Sequence, residues 1–564
     1  MHIVQFGSID VANYGDLLFP LIAAYRLSDL TTRMTLLAPL GGSVLRWPDS
    51  LPSEPADVAL REGFACDACL VGGGDVVQAN STVIQDYAQD GITNRHALPS
   101  LWLGAALVAE RTQARLIWNA PGVPRPFIDP RLQALVSSAV AANDYTSVRD
   151  PVSRRHLGLG DGGASVSVVP DTAVDVARLW PAPSLLPNYH GLFRARGHEV
   201  PKRAAVFHLN QWSRGRAEEI AASIARIADG IGCMPILLSI GLVHGDDTWV
   251  REVSAKLEVP HIAIDRPESL KDIAACLAHA VCYVGSSLHG FLTAFAYGNK
   301  GLIVRHPNVR KLDAVPMQLG LPDVACDSWA DAEARLNAVL ADPDRQWPAA
   351  LNRAQVALDA HWTTIRKVLL APLDEDSKAR KTRFAQDLLA FNDENGGWIA
   401  RLSGVLALEV NRHRPPVGGR LLDIDPLVVQ GQPAHVSRNA VGLVLHPPSK
   451  GVTEVCFGRI PLSGGETIRG GVTVGHRQGH PVRFSLLLLD ANGRTLAATE
   501  ITAHPGKVLP WALAVPDAVA VPAHLFVSTR MDQPTDASHF AWATLIDPVV
   551  ERLAIATRPA EPGL

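Results

Sequence analysis

Short apolar runs alternate with amphipathic stretches through the first two-thirds of the chain. Residues 3–6 are a brief apolar run, a polar loop follows to Asp16, and Leu17, Leu18, Leu21, Ile22 and Tyr25 then recur at helical spacing. Further strands are predicted at 34–38, 68–71, 115–118 and 145–148, with helices over 101–111 and 131–142. A second alternation begins at Arg203. It predicts strands at 203–210, 235–239, 261–264, 281–284 and 301–304, separated by helices at 216–229, 248–257, 269–279 and 289–297. Strands and helices in this order predict right-handed βαβ units and two parallel sheets.

The prolines of 179–187 break the first pattern and read as a linker between two α/β halves. A helix over 348–370 ends the second half and is expected to cross back toward the first. From Asp374 the chain is densely charged, with Leu388, Leu389, Phe391, Ile399, Leu402 and Leu406 interspersed, which predicts a solvated helical connector and admits coiled self-association. Beyond it, Pro415-Pro416, Gly418-Gly419, Gly464-Gly465 and Gly470-Gly471 punctuate short apolar runs at 441–445, 467–468, 482–489 and 525–528. Strands of that length with such turns predict a β-sandwich, with a tight turn at 490–493 leading into a strand over 495–501. Trp511 and Trp542 read as core or as sugar-stacking platforms. The expected organisation is two Rossmann-like domains (1–180 and 200–372), a helical connector (373–412) and a β-sandwich (413–564) serving carbohydrate binding or assembly.

Composition narrows the function. The chain has 564 residues, 47% of them hydrophobic and 19% charged, with a net charge of −4. That balance lacks the basic field of a nucleic-acid binder, so no nucleic-acid partner is expected. Seven scattered cysteines do not make a disulfide framework, which fits a reducing compartment. Cys66-Asp-Ala-Cys69 has redox or half-zinc-site spacing, but no second pair answers it, and no metal is expected. Without a cationic leader or an apolar run of roughly 18–20 residues, a soluble cytoplasmic protein is expected, with peripheral contact to a membrane left open.

The candidate chemistry lies where strands end. In 281–295 an apolar run stops at Gly285, Ser286 and Ser287 follow, and a helical pattern begins with His289 in its first turn. Such a turn aims backbone N–H groups and a helix dipole at an anion, and the histidine is a proton carrier. Gly72-Gly73-Gly74-Asp75 follows a buried strand and reads as a bare turn or as an anion cradle. Asn13, Gly15 and Asp16 stand before the first helix, Asp16 as a cap or a ligand group. Arg149 follows a strand directly, where it either meets a ligand or pairs with a neighbouring acid; Asp171 ends another strand.

These motifs, in this order along 1–370, resemble the polysaccharide pyruvyltransferase family: Asn13-Tyr14-Gly15-Asp16, Gly72-Gly73-Gly74-Asp75, Val148-Arg149-Asp150 with Ser153, Pro170-Asp171, and Ser286-Ser287-Leu288-His289-Gly290. The resemblance implies two Rossmann-like domains in a GT-B-like arrangement. It also implies transfer of a pyruvyl group from phosphoenolpyruvate to two hydroxyls of a saccharide or lipid-linked oligosaccharide, giving a ketal in cell-surface polysaccharide biosynthesis. No cofactor is implied, phosphoenolpyruvate being the donor substrate. His289 would be the acid/base, Arg149 the anion clamp, and Asp171 an orienter or base. Ser286, Ser287 and Gly290 would complete the phosphate pocket. Asn13, Gly15, Asp16 and 72–75 would face it across a cleft on the acceptor side, with Asn210 among the substrate-binding residues. Family members often carry arginine where this chain has Ser287, so Arg305 or Arg310 is expected to substitute, or a different donor is used. A nucleotide-sugar glycosyltransferase and a non-catalytic saccharide-binding protein are the alternative readings.

Overall fold

The computed structural model describes residues 1–42, 47–60, 63–79, 91–160, 164–210, 213, 215–305, 311–341, 346–394, 421, 426–430, 435–438, 442–449, 451–460, 462, 464–490, 494–517, 523–533 and 541–552. Arg310, the apolar positions 399, 402 and 406, the doublets 415–416 and 418–419, and the turn at 491–493 lie outside them. Two compact units emerge. The first comprises Met1–Ala56, Ala65–Asp90 and Ala97–Phe384; the second comprises Asp57–Phe64, Gly91–His96 and Ala385–Leu564.

The first unit holds two parallel sheets. One contains β1 (His2–Phe6), β2 (Arg33–Ala38), β3 (Glu54–Pro55), β4 (Ala68–Gly72), β5 (Arg115–Asn119), β6 (Tyr145–Val148) and β7 (Ser167–Val168), in the order β3-β2-β1-β4-β5-β6-β7. The other contains β8 (Ala204–His208), β9 (Met234–Leu238), β10 (Ile262–Ile264), β11 (Cys282–Gly285), β12 (Lys300–Val304) and β13 (Ala325–Cys326), in the order β10-β9-β8-β11-β12-β13. β4, β5, β8 and β11 are buried along their length, as strands covered on both faces must be, which is why their sequences are near-continuous apolar runs. In each sheet the winding reverses once, between β1 and β4 and between β8 and β11. At such a reversal the neighbouring crossovers leave in opposite directions and open a crevice at the carboxyl edge.

The helices in chain order are α1 (Tyr14–Arg26), α2 (Gly91–Thr112), α3 (Pro130–Ala142), α4 (Pro151–His156), α5 (Val176–Leu179), α6 (Leu186–Arg194), α7 (Ala217–Ile231), α8 (Asp246–Ser254), α9 (Leu270–His279), α10 (Leu288–Ala296), α11 (Lys311–Leu319), α12 (Trp329–Ala341), α13 (Gln346–Leu370) and α14 (Glu375–Glu394). The proline-rich 179–187 segment lies between the last strand of the first sheet and the first strand of the second. It forms a 3-10 turn at Ala182–Leu185 and opens α6 with Pro187 in the first turn, where its missing amide hydrogen has no helical partner to lose. α13 does return to the first sheet: His361 Nε2 lies 2.8 Å from Asn119 Oδ1, and Trp362 Nε1 donates to Asp175 at 2.9 Å. α14 differs from a wholly solvated connector, because Lys381 is buried and donates to Asp144 at 2.8 Å, beside Arg115, which pairs with the same carboxylate at 2.9 Å.

The second unit contains β14 (Leu427–Gln430), β15 (Val436–Arg438), β16 (Gly442–Leu445), β17 (Thr453–Ile460), β18 (Glu466–Val474), β19 (Val482–Leu489), β20 (Thr495–Ala503), β21 (Leu509–Ala514), β22 (Ala523–Met531) and β23 (Ala543–Arg552). They form two antiparallel five-stranded sheets, β14-β17-β22-β19-β20 and β15-β16-β23-β18-β21. Phe457, Phe484, Leu486 and Leu525 of the first sheet share one core with Leu443, Val472, Trp511 and Leu545 of the second. β19 alternates buried and half-buried positions, the period of two that a sheet with one covered face requires. Trp511 is therefore core, whereas Trp542 is exposed, edge-on to His476. Among the described residues no helix is long and apolar enough to cross a membrane, and no His/Cys/Asp/Glu cluster could hold a metal.

Candidate active site

Both reversal points bear the residues singled out above. β11 ends at Gly285, Ser286 and Ser287 make the turn, and α10 starts with Ser287 as its N-cap, its Oγ accepting from Gly290 N at 3.3 Å. Ser287 N donates to the Tyr283 hydroxyl at 3.1 Å, and that hydroxyl donates back to Ser287 O at 3.0 Å. A Cβ on Gly285 or Gly290 would lie 2.7 Å from the Tyr283 oxygen, so both glycines leave room for this buried phenol. Gly290 therefore does not complete a phosphate pocket with its amide, which the cap already occupies. Among the described residues, the amides of Leu288 and His289 have no acceptor and remain for a ligand.

His289 is buried, edge-on to Phe19 of α1. A Cβ at Gly15 would overlap its ring, so glycine there lets the two halves touch at the imidazole. The contact continues beside it: Tyr14 N donates to Ile240 O at 2.9 Å, and Asn13 bridges Gly241. The expected open cleft is closed here, and Asn13, Gly15 and Asp16 stand against His289 and its surroundings. Asn13 Nδ2 donates to Asp16 Oδ2 at 2.8 Å. Burial pushes the Asp16 carboxyl up, against the pull of His289, Lys311 and Asn13.

The glycine run has a steric role of its own. Gly73 and Gly74 have φ of +76° and +65°, and side chains there would strike Phe19 and Asp16. Gly72 is likewise packed against Asn119 and Gln5. The run ends at Asp75, which pairs with Arg149 and, at 2.9 Å, with Lys311. Burial works against ionisation of Asp75, yet Arg149 and Lys311 hold its carboxyl well below the usual range.

The anion-clamp reading of Arg149 meets a different setting: its side chain is only 1% exposed and lies among three carboxylates. Asp75 is in direct contact, Asp171 lies at 3.6 Å and Asp150 at 3.7 Å. A guanidinium so enclosed serves as their counter-ion and cannot reach a ligand without leaving them. Asp171 caps the turn Thr172–Asp175 through Ala173 N at 3.0 Å. Burial raises its carboxyl, but the facing His289 and Arg149 hold it below the ordinary range. Its Oδ2 lies 3.7 Å from His289 Nε2 and 3.6 Å from Arg149 Nη1, and none of these three buried atoms makes a hydrogen bond. Such unsatisfied groups destabilise a fold and mark places where function competes with stability.

Ser286 is half-buried, its Oγ 3.4 Å from Ser213 Oγ, and Ser213 Oγ accepts from Asn210 N at 3.0 Å, so Asn210 and Ser286 belong to one turn cluster. Arg305 is not brought in, because it pairs with Asp313 at 2.6 Å and Asp327 at 2.7 Å.

Several residues here escaped the sequence reading. Lys311 opens α11 with a side chain 34% exposed, the cation that reaches Asp75 from the second sheet. His208 ends β8, its Nε2 2.8 Å from Asp246 Oδ2, an oxygen that also accepts from Ile240 N and Gly241 N. His244 lies close by, its pKa lowered by burial to about 4. His208 carried a usable signal, standing at the same sheet edge as Gly285. Lys311 carried none, since nothing in its sequence neighbourhood shows which way its side chain faces.

A family model described as polysaccharide pyruvyl transferase matches residues 12–305, more than half of the 564-residue chain. No curated protein matches the chain. Among solved structures, a UDP-GlcNAc 2-epimerase from Neisseria meningitidis is similar at 12% identity, covering 66% of this chain and 100% of that one with a TM-score of 0.42. A UDP-N-acetylglucosamine 2-epimerase from Rickettsia bellii is similar at 15% identity, covering 66% and 96% with a TM-score of 0.41. The wall teichoic acid polymerase TagF is similar at 10% identity, covering 70% and 89% with a TM-score of 0.37.

Proposed function

The chain belongs to the polysaccharide pyruvyl transferase family, and from that membership we propose that it moves a pyruvyl group from phosphoenolpyruvate onto two hydroxyls of one saccharide, forming a cyclic ketal and releasing phosphate. The observation that carries the reading is the unsatisfied trio of His289 Nε2, Asp171 Oδ2 and Arg149 Nη1 at the junction of the two sheets.

The reaction needs a proton at the methylene carbon of the donor. Protonation leaves cationic character on the adjacent carbon, where the first hydroxyl oxygen adds. The carbon–oxygen bond to phosphate then breaks and the second hydroxyl oxygen closes the ketal. Of the two hydroxyl protons, one replaces the proton given to the methyl group and the other leaves with phosphate, so no oxidant or cofactor enters. His289 is the proton carrier in this scheme, because an imidazole can both give and take a proton and the buried Asp171 carboxylate faces it at 3.7 Å. Asp171 stabilises the imidazolium by charge, and Arg149 keeps Asp171 and Asp75 ionised in a buried setting. Lys311 and the free amides at the start of α10 receive the donor's anionic groups. Lys311 thereby takes the part of the arginine that Ser287 replaces.

The acceptor is a saccharide or a lipid-linked oligosaccharide made for cell-surface polysaccharide in the cytoplasm. The two-sheet unit acts as a GT-B-like catalytic body, with the second unit an acceptor-binding or assembly module. Mass spectrometry of saccharide acceptors incubated with phosphoenolpyruvate tests the reaction. A product bearing the pyruvyl ketal, with phosphate released in equal amount, is expected; nucleotide release from a nucleotide sugar with no ketal would sink the assignment.

A further inference from the structure

The loop after β5 begins inside the site and ends on the surface. Gly122 N donates to Gly74 O at 2.8 Å, and a side chain at Gly122 would collide with Asp75 and Arg149. Six residues later Ile128 is 89% exposed, the most exposed large apolar side chain among the described residues. Its position is fixed from both sides. Phe127 is buried with its ring centroid 6.2 Å from that of Trp102, Asp129 caps α3 by accepting from Arg131 N at 2.9 Å, and Pro124 and Pro126 stiffen the approach.

The flanking surface is basic. Through 121–156 the exposed charged side chains are Arg125, Arg131, Arg154 and Arg155 against a single acid, Asp129, although the whole chain carries a net charge of −4. Arg131 lies 3.7 Å from Asp129, and among the described residues the other three form no ion pair. α4, which bears Arg154 and Arg155, is tied to the loop where His156 Nδ1 meets Val123 O at 2.7 Å, and it packs on α11, whose Met317 is 57% exposed. Basic residues in the last turn of a helix complement its dipole, which accounts for Arg154 and Arg155 singly. It accounts neither for Arg125 nor for the projecting Ile128 of the same loop.

We propose that this face, built from the 124–131 loop, α4 and the exposed side of α11, seats on an anionic lipid surface, with Ile128 and Met317 entering the interface and the four arginines meeting headgroup phosphates. Arginine binds phosphate through paired N–H groups, and each such cation near an anionic leaflet adds a similar increment of attraction. A soluble polyanion would use the arginines alone and leave the apolar side chains in water; a bilayer uses both. The face borders the carboxyl edge of the first sheet, so seating it holds the site next to the membrane. The binding itself depends on neither the donor nor the acceptor of the proposed reaction.

The test is co-sedimentation of the full-length protein with phosphatidylcholine vesicles with and without phosphatidylglycerol, across a salt series. Binding is expected only with the anionic lipid and should weaken as salt rises. The double substitution Arg154→Ser and Arg155→Ser is expected to lower partitioning roughly thirty-fold, from two increments of the attraction. Ile128→Ser should lower it at every salt concentration with melting unchanged, and the double arginine variant should melt only slightly lower, by what its helix dipole loses. Absence of binding at low salt overturns the proposal, as does binding that neither variant changes. Equal binding to a soluble polyanion with no loss in Ile128→Ser also overturns it, by showing a charge-only surface.

Discussion

At the scale of single residues, the two cations of the site are set apart by burial. Arg149 is enclosed by three carboxylates, whereas Lys311 has solvent access and one. Lys311→Met is therefore expected to raise the KM for phosphoenolpyruvate about tenfold or more, the loss of one charge-assisted contact, with melting little changed. Arg149→Met is expected to act first on folding, lowering stability by about 3–5 kcal/mol, because it leaves buried Asp171 without its guanidinium and Asp75 with Lys311 alone. An Arg149→Met protein that melts normally but binds donor poorly would return Arg149 to the clamp role. His289→Gln is expected to lower turnover ~10²-fold or more at unchanged melting temperature; a fully active variant would remove the histidine from the chemistry. Gly15→Ala tests the same contact from the other half, since a methyl there must displace the imidazole.

At the scale of elements, what the sequence made legible was what local periodicity controls. Buried parallel strands are apolar along their length, so β4, β8 and β11 were readable, and the 13–16, 72–75 and 286–290 motifs fell at the strand ends where the sheets reverse. What depends on three-dimensional approach was not readable. Tyr283 takes the space that Gly285 and Gly290 leave, a relation between neighbouring turns that no spacing rule encodes. Arg305 looked available in the sequence but is claimed by Asp313 and Asp327. The charged stretch after Asp374 reads as solvated because Lys381 looks like any other surface lysine; in the structure it is buried on Asp144. Lys381→Met is accordingly expected to destabilise the first unit by about 2–3 kcal/mol in denaturant titration, less than a fully broken pair because Arg115 still faces Asp144. No change in the unfolding midpoint would show that Arg115 suffices.

At the scale of the molecule, each unit has its own core, so unfolding is expected to show more than one transition, and acid should separate them. His361, on α13 against Asn119 and Tyr145, has its pKa lowered to about 3 by burial, and His244 to about 4. A histidine that binds its proton less well folded than unfolded stabilises the fold fully above the unfolded pKa near 6.5. That stability is lost as pH falls from there toward the folded value, by roughly 1.4 kcal/mol per pH unit for each group. The depressed carboxyls of Asp75 and Asp171 act in the same sense but only below their unfolded value near 4, whereas the raised carboxyls of Asp16 and Asp175 bind protons more tightly folded than unfolded and so oppose the histidines just above that value. Between about pH 6.5 and 4 the two strongly lowered histidines set the direction against that partial offset, and all four groups lie in the first unit. His435 of the second unit is shifted the same way by burial, but solvent reaches it and screens the effect. Calorimetry over that range should show one transition falling steeply and another nearly still. His361→Gln, which keeps a hydrogen-bonding group without the titration, should flatten the steep one. Saturating phosphoenolpyruvate at neutral pH should raise the same transition alone, since a ligand stabilises the unit that binds it. If acid and donor move different transitions, the donor site does not lie where His289 and Lys311 place it.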